Sequence, residues 1–419
     1  SEAPRTAVPT PTEIRQNMDQ SGKLPVVAAG LAVAVCSVVV AHDDDPKAQV
    51  KIVPHPGPAY RAAESASAGG FPAVGVSLGS WIPIGDFAGS HSQVNDCWGY
   101  TAPSGREYAL LGLECGTGVV EITDPDNAQV VGTIMGPCST WGDIKVFGQY
   151  AYKTTESGAV GLQVIDLGQV DDGIIELVNE VESGTGTGSS HNVVINEETG
   201  HLYRTGGYHY GLGVYDLNAD PVDPPLLGSW TDRYVHDAQV VTMQSGPYAG
   251  KEVAFCCSGF NGGWTETGID IIEIIRDGSS VSFDLLARYA YPNGAYSHQA
   301  WLSDDQTIFY LGDELDEGSV VPFTETKVID VSDLTAPFEV NNFDNGNEAV
   351  GHNLYTRDGL IFEANYTSGL RVFDTCPDPV NPVEVAYFDT HPESDSASYS
   401  GMWSNYPFFP SGNIVLNSI

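Results

Sequence analysis

The chain has 419 residues, among them 47 Gly, 26 Pro and 10% aromatics, and no long run at helical spacing, a profile that disfavours a helical fold and points to many short strands joined by turns. Its net charge of −38, from 17 Lys and Arg against 55 Asp and Glu, disfavours a nucleic-acid or anionic-membrane surface by repulsion and makes cations or a saline medium the natural counterparts. The cysteines, Cys36, Cys97, Cys115, Cys138, Cys256, Cys257 and Cys376, form no CxxC pair or finger spacing, which argues against structural zinc and suits an oxidising compartment.

Residues 1–70 read as an N-terminal extension. Ser1 to Lys23 is polar, Leu24 to Ala41 is almost wholly apolar, His42 to Pro46 is an acidic knot, and Ala62 to Gly70 is a small-residue linker. Arg15 and Lys23 before the apolar run, with Val39 and Ala41 at its end, suit a signal peptide, yet the chain opens on Ser1 and retains the segment. Pro25 and Gly30 make it a poor membrane helix, so no transmembrane span is expected. Its β-branched part, with Val33, Val35, Val38, Val39 and Val40, reads as an extended strand, against the alternatives of a retained signal or anchor and of a segment without order.

Residues 71–419 carry a repeat. Apolar residues flank an acid at Val120-Glu121-Ile122, Ile165-Asp166-Leu167, Tyr215-Asp216-Leu217, Ile272-Glu273-Ile274 and Ile329-Asp330-Val331, and the pattern ends with Phe373-Asp374-Thr375. Steps of roughly 44 to 57 residues between the acids mark stacked supersecondary units. Each unit opens on an aromatic or His, at Trp98, Trp141, His191, His236, His298, His352 and Trp403, and then supplies a second strand, the acidic third strand and a fourth. That predicts an all-β protein, a seven-bladed β-propeller of four-stranded antiparallel blades with an extended N-terminal arm. The acidic positions recur as turn caps would.

These stretches resemble the LVIVD-repeat propellers of the choice-of-anchor B group. The motifs that carry the likeness include Trp98-Gly99-Tyr100, Trp141-Gly142-Asp143-Ile144-Lys145-Val146, His191-Asn192-Val193-Val194-Ile195-Asn196, Ala364-Asn365-Tyr366 and Tyr406-Pro407-Phe408-Phe409-Pro410. The resemblance covers about Leu78 to Ile419 and implies a secreted or surface-attached propeller, with no activity common to the group. Members of the group continue past the position of Ile419 into a further strand, and the apolar extension is not part of their repeat region.

His191, His236, His298 and His352 open four successive first strands, which in a propeller line the central channel, so their imidazoles are expected to form an arc able to hold a transition metal, with Asp237 as a further ligand or orienter. The alternative is that they satisfy backbone groups and order water. Asp313, Glu314, Asp316 and Glu317 form an acidic loop that could hold a hard cation such as calcium, although the spacing is not that of an EF-hand. Asn365 lies in the one N-x-S/T sequon, in a context that suits a surface loop. Gly75-Val76-Ser77-Leu78-Gly79 matches G-x-S-x-G by letter, but a strand follows where a nucleophile elbow needs a helix.

The seventh unit has a first strand at Trp403 and a second at Asn413, Gly75 to Ile84 reads as its fourth, and its third is missing. Val33 to Val40 or Gln49 to Pro54 would fill the slot, from the same chain or from another copy. The reading is therefore a non-enzymatic extracellular or cell-surface propeller that assembles with itself into a fibre or array by N-terminal strand donation. The alternative is a metal-dependent binding protein or hydrolase acting at a His-lined channel mouth.

Overall fold

A computed structural model of the chain describes residues 24–30, 60–61, 70–157, 160–181, 188–207, 211–261 and 264–419. Val33, Val35, Val38, Val39 and Val40 lie outside the described residues, as does Gln49 to Pro54. The fold is all-β, and six of its sheets are built on antiparallel units of four consecutive strands.

Blade 1 comprises Val94–Thr101, Glu107–Leu113, Gly116–Glu121 and Gln129–Met135, and blade 2 comprises Ile144–Phe147, Tyr150–Thr154, Leu162–Asp166 and Glu176–Val181. Blade 3 follows with Asn192–Asn196, His201–Thr205, Leu212–Asp216 and Leu226–Trp230, and blade 4 with Asp237–Thr242, Glu252–Ser258, Gly268–Asp277 and Ser280–Tyr289. Ser297–Leu302, Ile308–Asp313, Glu325–Asp330 and Phe338–Asp344 make blade 5. Blade 6 has Leu354–Arg357, Leu360–Asn365, Gly369–Asp374 and Val383–Phe388, with Ala73–Val74 added to its outer edge.

The propeller is thus six-bladed, and the expectation of seven antiparallel blades is corrected. The remaining strands make a five-stranded sheet of another kind, in the order Tyr60–Arg61, Val76–Pro83, Leu24–Gly30, Ile414–Ser418 and Met402–Tyr406. Leu24–Gly30 runs parallel to both its neighbours, pairing Val26 with Ile414 on one side and Leu24 with Val76 on the other. In each of the six blades the third strand is antiparallel to the second and the fourth. The physical reason for the miscount is local: the acidic third strand has no copy after Leu416, and the segment in its place runs in the other sense.

Burial follows position in the blade. Inner strands are covered on both faces by neighbouring sheets, so Glu252–Ser258 is buried throughout, whereas Gln129–Met135 on the rim has no fully buried residue. The core is accordingly divided among the contacts between sheets. Phe255, Ile271, Leu302 and Phe309 join blades 4 and 5, and Ile82, Val415, Leu111 and Val120 join the mixed sheet to blade 1.

The acidic signature ends third strands as expected, by two devices. Asp166, Asp216, Asp330 and Asp374 each accept a backbone N–H two residues on, from Gly168, Asn218, Ser332 and Cys376. The Glu copies pair instead with a cation on or beside the second strand: Glu121 with Arg106 and Glu273 with Lys251 at 2.8 Å. A disulfide joins Cys115 to Cys138. Among the described residues no helix is long and apolar enough to cross a membrane.

Candidate metal centre

The first strands of the six blades and Met402–Tyr406 touch one another in a closed circuit, which makes them the lining of the central channel. His191, His236, His298 and His352 sit at the start of four consecutive strands in that circuit. Their ring centroids are 4.2 Å apart for His191 and His236, 4.3 Å for His236 and His298, and 4.3 Å for His298 and His352. The expected arc therefore exists, and all four rings are buried.

Backbone from the next unit orients two of them. His236 Nδ1 lies 3.0 Å from the His298 carbonyl oxygen and His352 Nδ1 lies 2.5 Å from that of Trp403. A carbonyl only accepts, so Nδ1 carries the proton in both rings and Nε2 presents its lone pair, the tautomer a metal needs. His191 differs, since its Nδ1 meets the carboxylate of Glu156.

Glu314 completes the site. It follows the second strand of blade 5 and places Oε2 3.3 Å from His298 Nε2 and Oε1 3.5 Å from His352 Nε2. The Tyr366 hydroxyl donates to Oε1 at 3.0 Å. Among the described residues, His298, Glu314 and His352 are the group whose ligand atoms converge, all within 4.8 Å of one another.

The other members of the acidic loop go elsewhere. Asp313 accepts from Tyr291 Oη and from the backbone of Ala295 and Tyr296, Asp316 pairs with Lys327 at 2.8 Å, and Glu317 accepts from the Gly351 amide. All four carboxylates are buried, and the structure does not gather them around one point. Burial, followed by the charge of Asp313, pushes the Asp316 carboxyl up to about 7, and it pushes Glu317 well above its ordinary range.

Asp237 belongs to a second layer, one residue along the strand from His236. There Asp96, Asp143 and Asp237 surround Lys145, whose Nζ is 2.5 Å from Asp143 Oδ1 and 3.9 Å from Asp96 Oδ2. Burial and then Asp143 push Asp96 up to about 7 and Asp237 well above the carboxylate range. Burial acts most strongly on Asp143 and in the same direction, but the charge and hydrogen bond of Lys145 together with the hydrogen bonds from Asp96 and the Val193 amide hold that carboxyl below its ordinary value. Lys153, 2.6 Å from Asn95 Oδ1, is lowered to about 8 by burial.

Asn365 is 1% exposed, with its amide nitrogen 3.1 Å from Glu363 Oε2, so the sequon lies in the blade interior and not in a surface loop. Glu156 and Tyr366 were not singled out from the sequence. Glu156 follows a second strand as Glu314 does, and that shared place was the available signal.

No family model matches the chain, and none of the curated proteins matches it. Among solved structures the chain is similar to the WD40 repeats of RRP9, with a TM-score of 0.51 at 10% identity over 78% of this chain and 87% of that one. It is also similar to the structure of U3-55K, with a TM-score of 0.50 at 9% identity over 78% and 88%. A protein from Lactobacillus plantarum aligns with a TM-score of 0.48 at 11% identity over 67% and 78%. At such identities the likeness shows a β-propeller fold and nothing further.

Proposed function

We propose that this propeller is a metal-dependent binding protein that holds a divalent transition ion through Nε2 of His298 and His352 and a carboxylate oxygen of Glu314. The carrying observation is the convergence of those three buried groups, with the proton of His352 held on Nδ1 by the Trp403 carbonyl. Two imidazoles and one carboxylate suit zinc and leave a fourth position for an external ligand. The experiment is elemental analysis of the purified chain after chelation and reloading with zinc or copper. One ion per chain, lost in a His298→Ala/His352→Ala double variant and in Glu314→Gln, is expected. A metal-free chain after reloading, or unchanged stoichiometry in the variants, overturns the reading.

A second reading, self-assembly at an extracellular or cell surface, is favoured by one observation: Leu24–Gly30 lies parallel in a slot whose counterpart in every blade holds an antiparallel strand. Parallel pairing is slightly weaker per residue, which makes this strand the exchangeable member of its sheet. Donation of Leu24–Gly30 to a neighbouring copy would be a head-to-tail contact and would build a filament or ring. The Cys115–Cys138 disulfide, the acidic surface and the motifs shared with LVIVD-repeat propellers support an extracellular setting. Cysteines introduced as Val27→Cys and Val415→Cys, at paired positions, test it. Bonds between differently tagged copies are expected; bonds only within one chain, with dispersed monomers in electron micrographs, refute donation.

A further inference from the structure

The same first strands that begin at the histidines end, at the other mouth of the channel, in a cavity of about 480 Å³. That volume lies within the roughly 300–1,000 Å³ of small-molecule sites. One side is aromatic: Trp98, Trp301, Tyr355, Tyr406 and Phe408 line it. The rings brace one another edge to face, with centroids 4.9 Å apart for Trp98 and Tyr406, 4.9 Å for Trp301 and Tyr355, and 5.9 Å for Tyr355 and Phe408. Trp98, Trp301, Tyr406 and Phe408 remain partly exposed, so this wall is formed in advance and stays open to a ligand.

The other side is acidic. Asp237, Glu197 and Glu198 line the cavity, Asp96 and Asp143 lie close enough to Asp237 to act on its charge, and Lys145 is the only cation among the lining residues. Lys145 shows what the wall accepts, for its Nζ lies 4.4 Å from the centre of the Trp98 ring. An anionic ligand would meet the carboxylates of Glu197 and Glu198 at the cavity's rim, and a purely apolar one would gain nothing from them. A cation gains from the ring faces and from the carboxylates together, and the −38 net charge draws cations toward the protein.

We infer that this mouth is a binding site for a small organic cation of the alkylammonium or N-methylated amine class, seated against Trp98 and Trp301 and steered by Glu197 and Glu198. The site is separate from the histidine centre and does not depend on a metal there.

Titration with choline, followed by tryptophan fluorescence and calorimetry in low salt, tests the inference against 3,3-dimethylbutan-1-ol, the uncharged molecule of the same shape. Saturable binding of choline at least tenfold tighter than the alcohol is expected. The Glu197→Gln/Glu198→Gln variant, altered only at exposed positions, should weaken binding several-fold, and Trp301→Ala should abolish it, while His298→Ala leaves it unchanged. Phosphatidylcholine vesicles form a second arm: co-sedimentation places the ammonium on a lipid headgroup, and choline binding without it means a free solute. Equal affinity for the alcohol, a response to cellobiose but not to choline, or choline binding indifferent to the glutamine variant overturns the assignment.

Discussion

Glu363 lies inside blade 6 at 3% exposure, with Thr326 Oγ1 donating to it at 2.7 Å and Asn365 Nδ2 at 3.1 Å. Burial outweighs those bonds and pushes its carboxyl up to about 7 from an ordinary 4.5. The folded protein thus binds this proton more firmly than the unfolded chain, so its contribution to stability is full below about pH 4.5 and is lost as pH rises through 7. Denaturant titrations of Glu363→Gln should show the variant gaining on the parent by about 3 kcal/mol between pH 4.5 and 7.5. Lys327→Met removes the partner of Asp316, both of them at or below 1% side-chain exposure. That change should cost about 3–5 kcal/mol at pH 8 and less at pH 5, where Asp316 is protonated with or without the lysine. At this scale the histidines were legible because each opens a first strand with the same short motif. Glu314 was legible only as a member of an acidic cation-binding loop and not as the histidines' partner, and Glu156 not at all, since each leaves a second strand into a loop whose destination is set by the neighbouring blade. The burial of Asn365 was hidden for the same reason, as a sequon carries no record of which sheets will cover it.

The third strand is the element that defines a blade. Five residues before its acid stands Gly116, Gly161, Gly211, Gly268 or Gly369, and in blade 5 Glu325 takes that place. The requirement is close approach: a Cβ at Gly211 would lie 1.9 Å from the Trp230 carbonyl oxygen on the fourth strand, and one at Gly116, where φ is +151°, 2.1 Å from that of Ile134. Gly211→Ala should therefore destabilise by about 2–4 kcal/mol in equilibrium unfolding, because backbone and not a flexible side chain blocks the methyl. The acid at the other end matters according to its type. Asp330→Ala loses the acceptor for the Ser332 amide at 2.9 Å and hydroxyl at 2.6 Å and should cost about 1 kcal/mol. Glu121→Gln, whose partner Arg106 is half-exposed, should cost less than about 1 kcal/mol. Strand order and turn capping were readable from this pattern since both are properties within one unit. The direction of Leu24–Gly30 was not, because an apolar segment that lacks the third strands' spacing of a glycine five residues before an acid pairs equally well by pattern in either sense.

Across the whole molecule the ring is held where distant segments meet. Glu107 of blade 1 accepts from the Ser411 amide at 2.9 Å, from its hydroxyl at 2.5 Å and from Asn413 Nδ2 at 3.3 Å, and Asn413 also reaches the Ile122 carbonyl. Glu107→Ala removes the acceptor that ties exposed Ser411 and buried Asn413 to blade 1, although Asn413 keeps the Ile122 carbonyl, so a loss of about 1–2 kcal/mol, by calorimetry, is expected. Counting first strands led to seven equivalent units, whereas the arc between blades 6 and 1 is closed by a sheet that draws on both ends of the sequence. That sheet sets a timetable for biosynthesis. Leu24–Gly30 leaves the ribosome before any blade exists, and its partner Ile414–Ser418 follows only after all six, a wait on the order of tens of seconds at ordinary elongation rates. Through that interval Leu24–Gly30 has Val76–Pro83 available on one side but lacks its partner on the other, and a chaperone or a second nascent chain on the same message can capture that open edge.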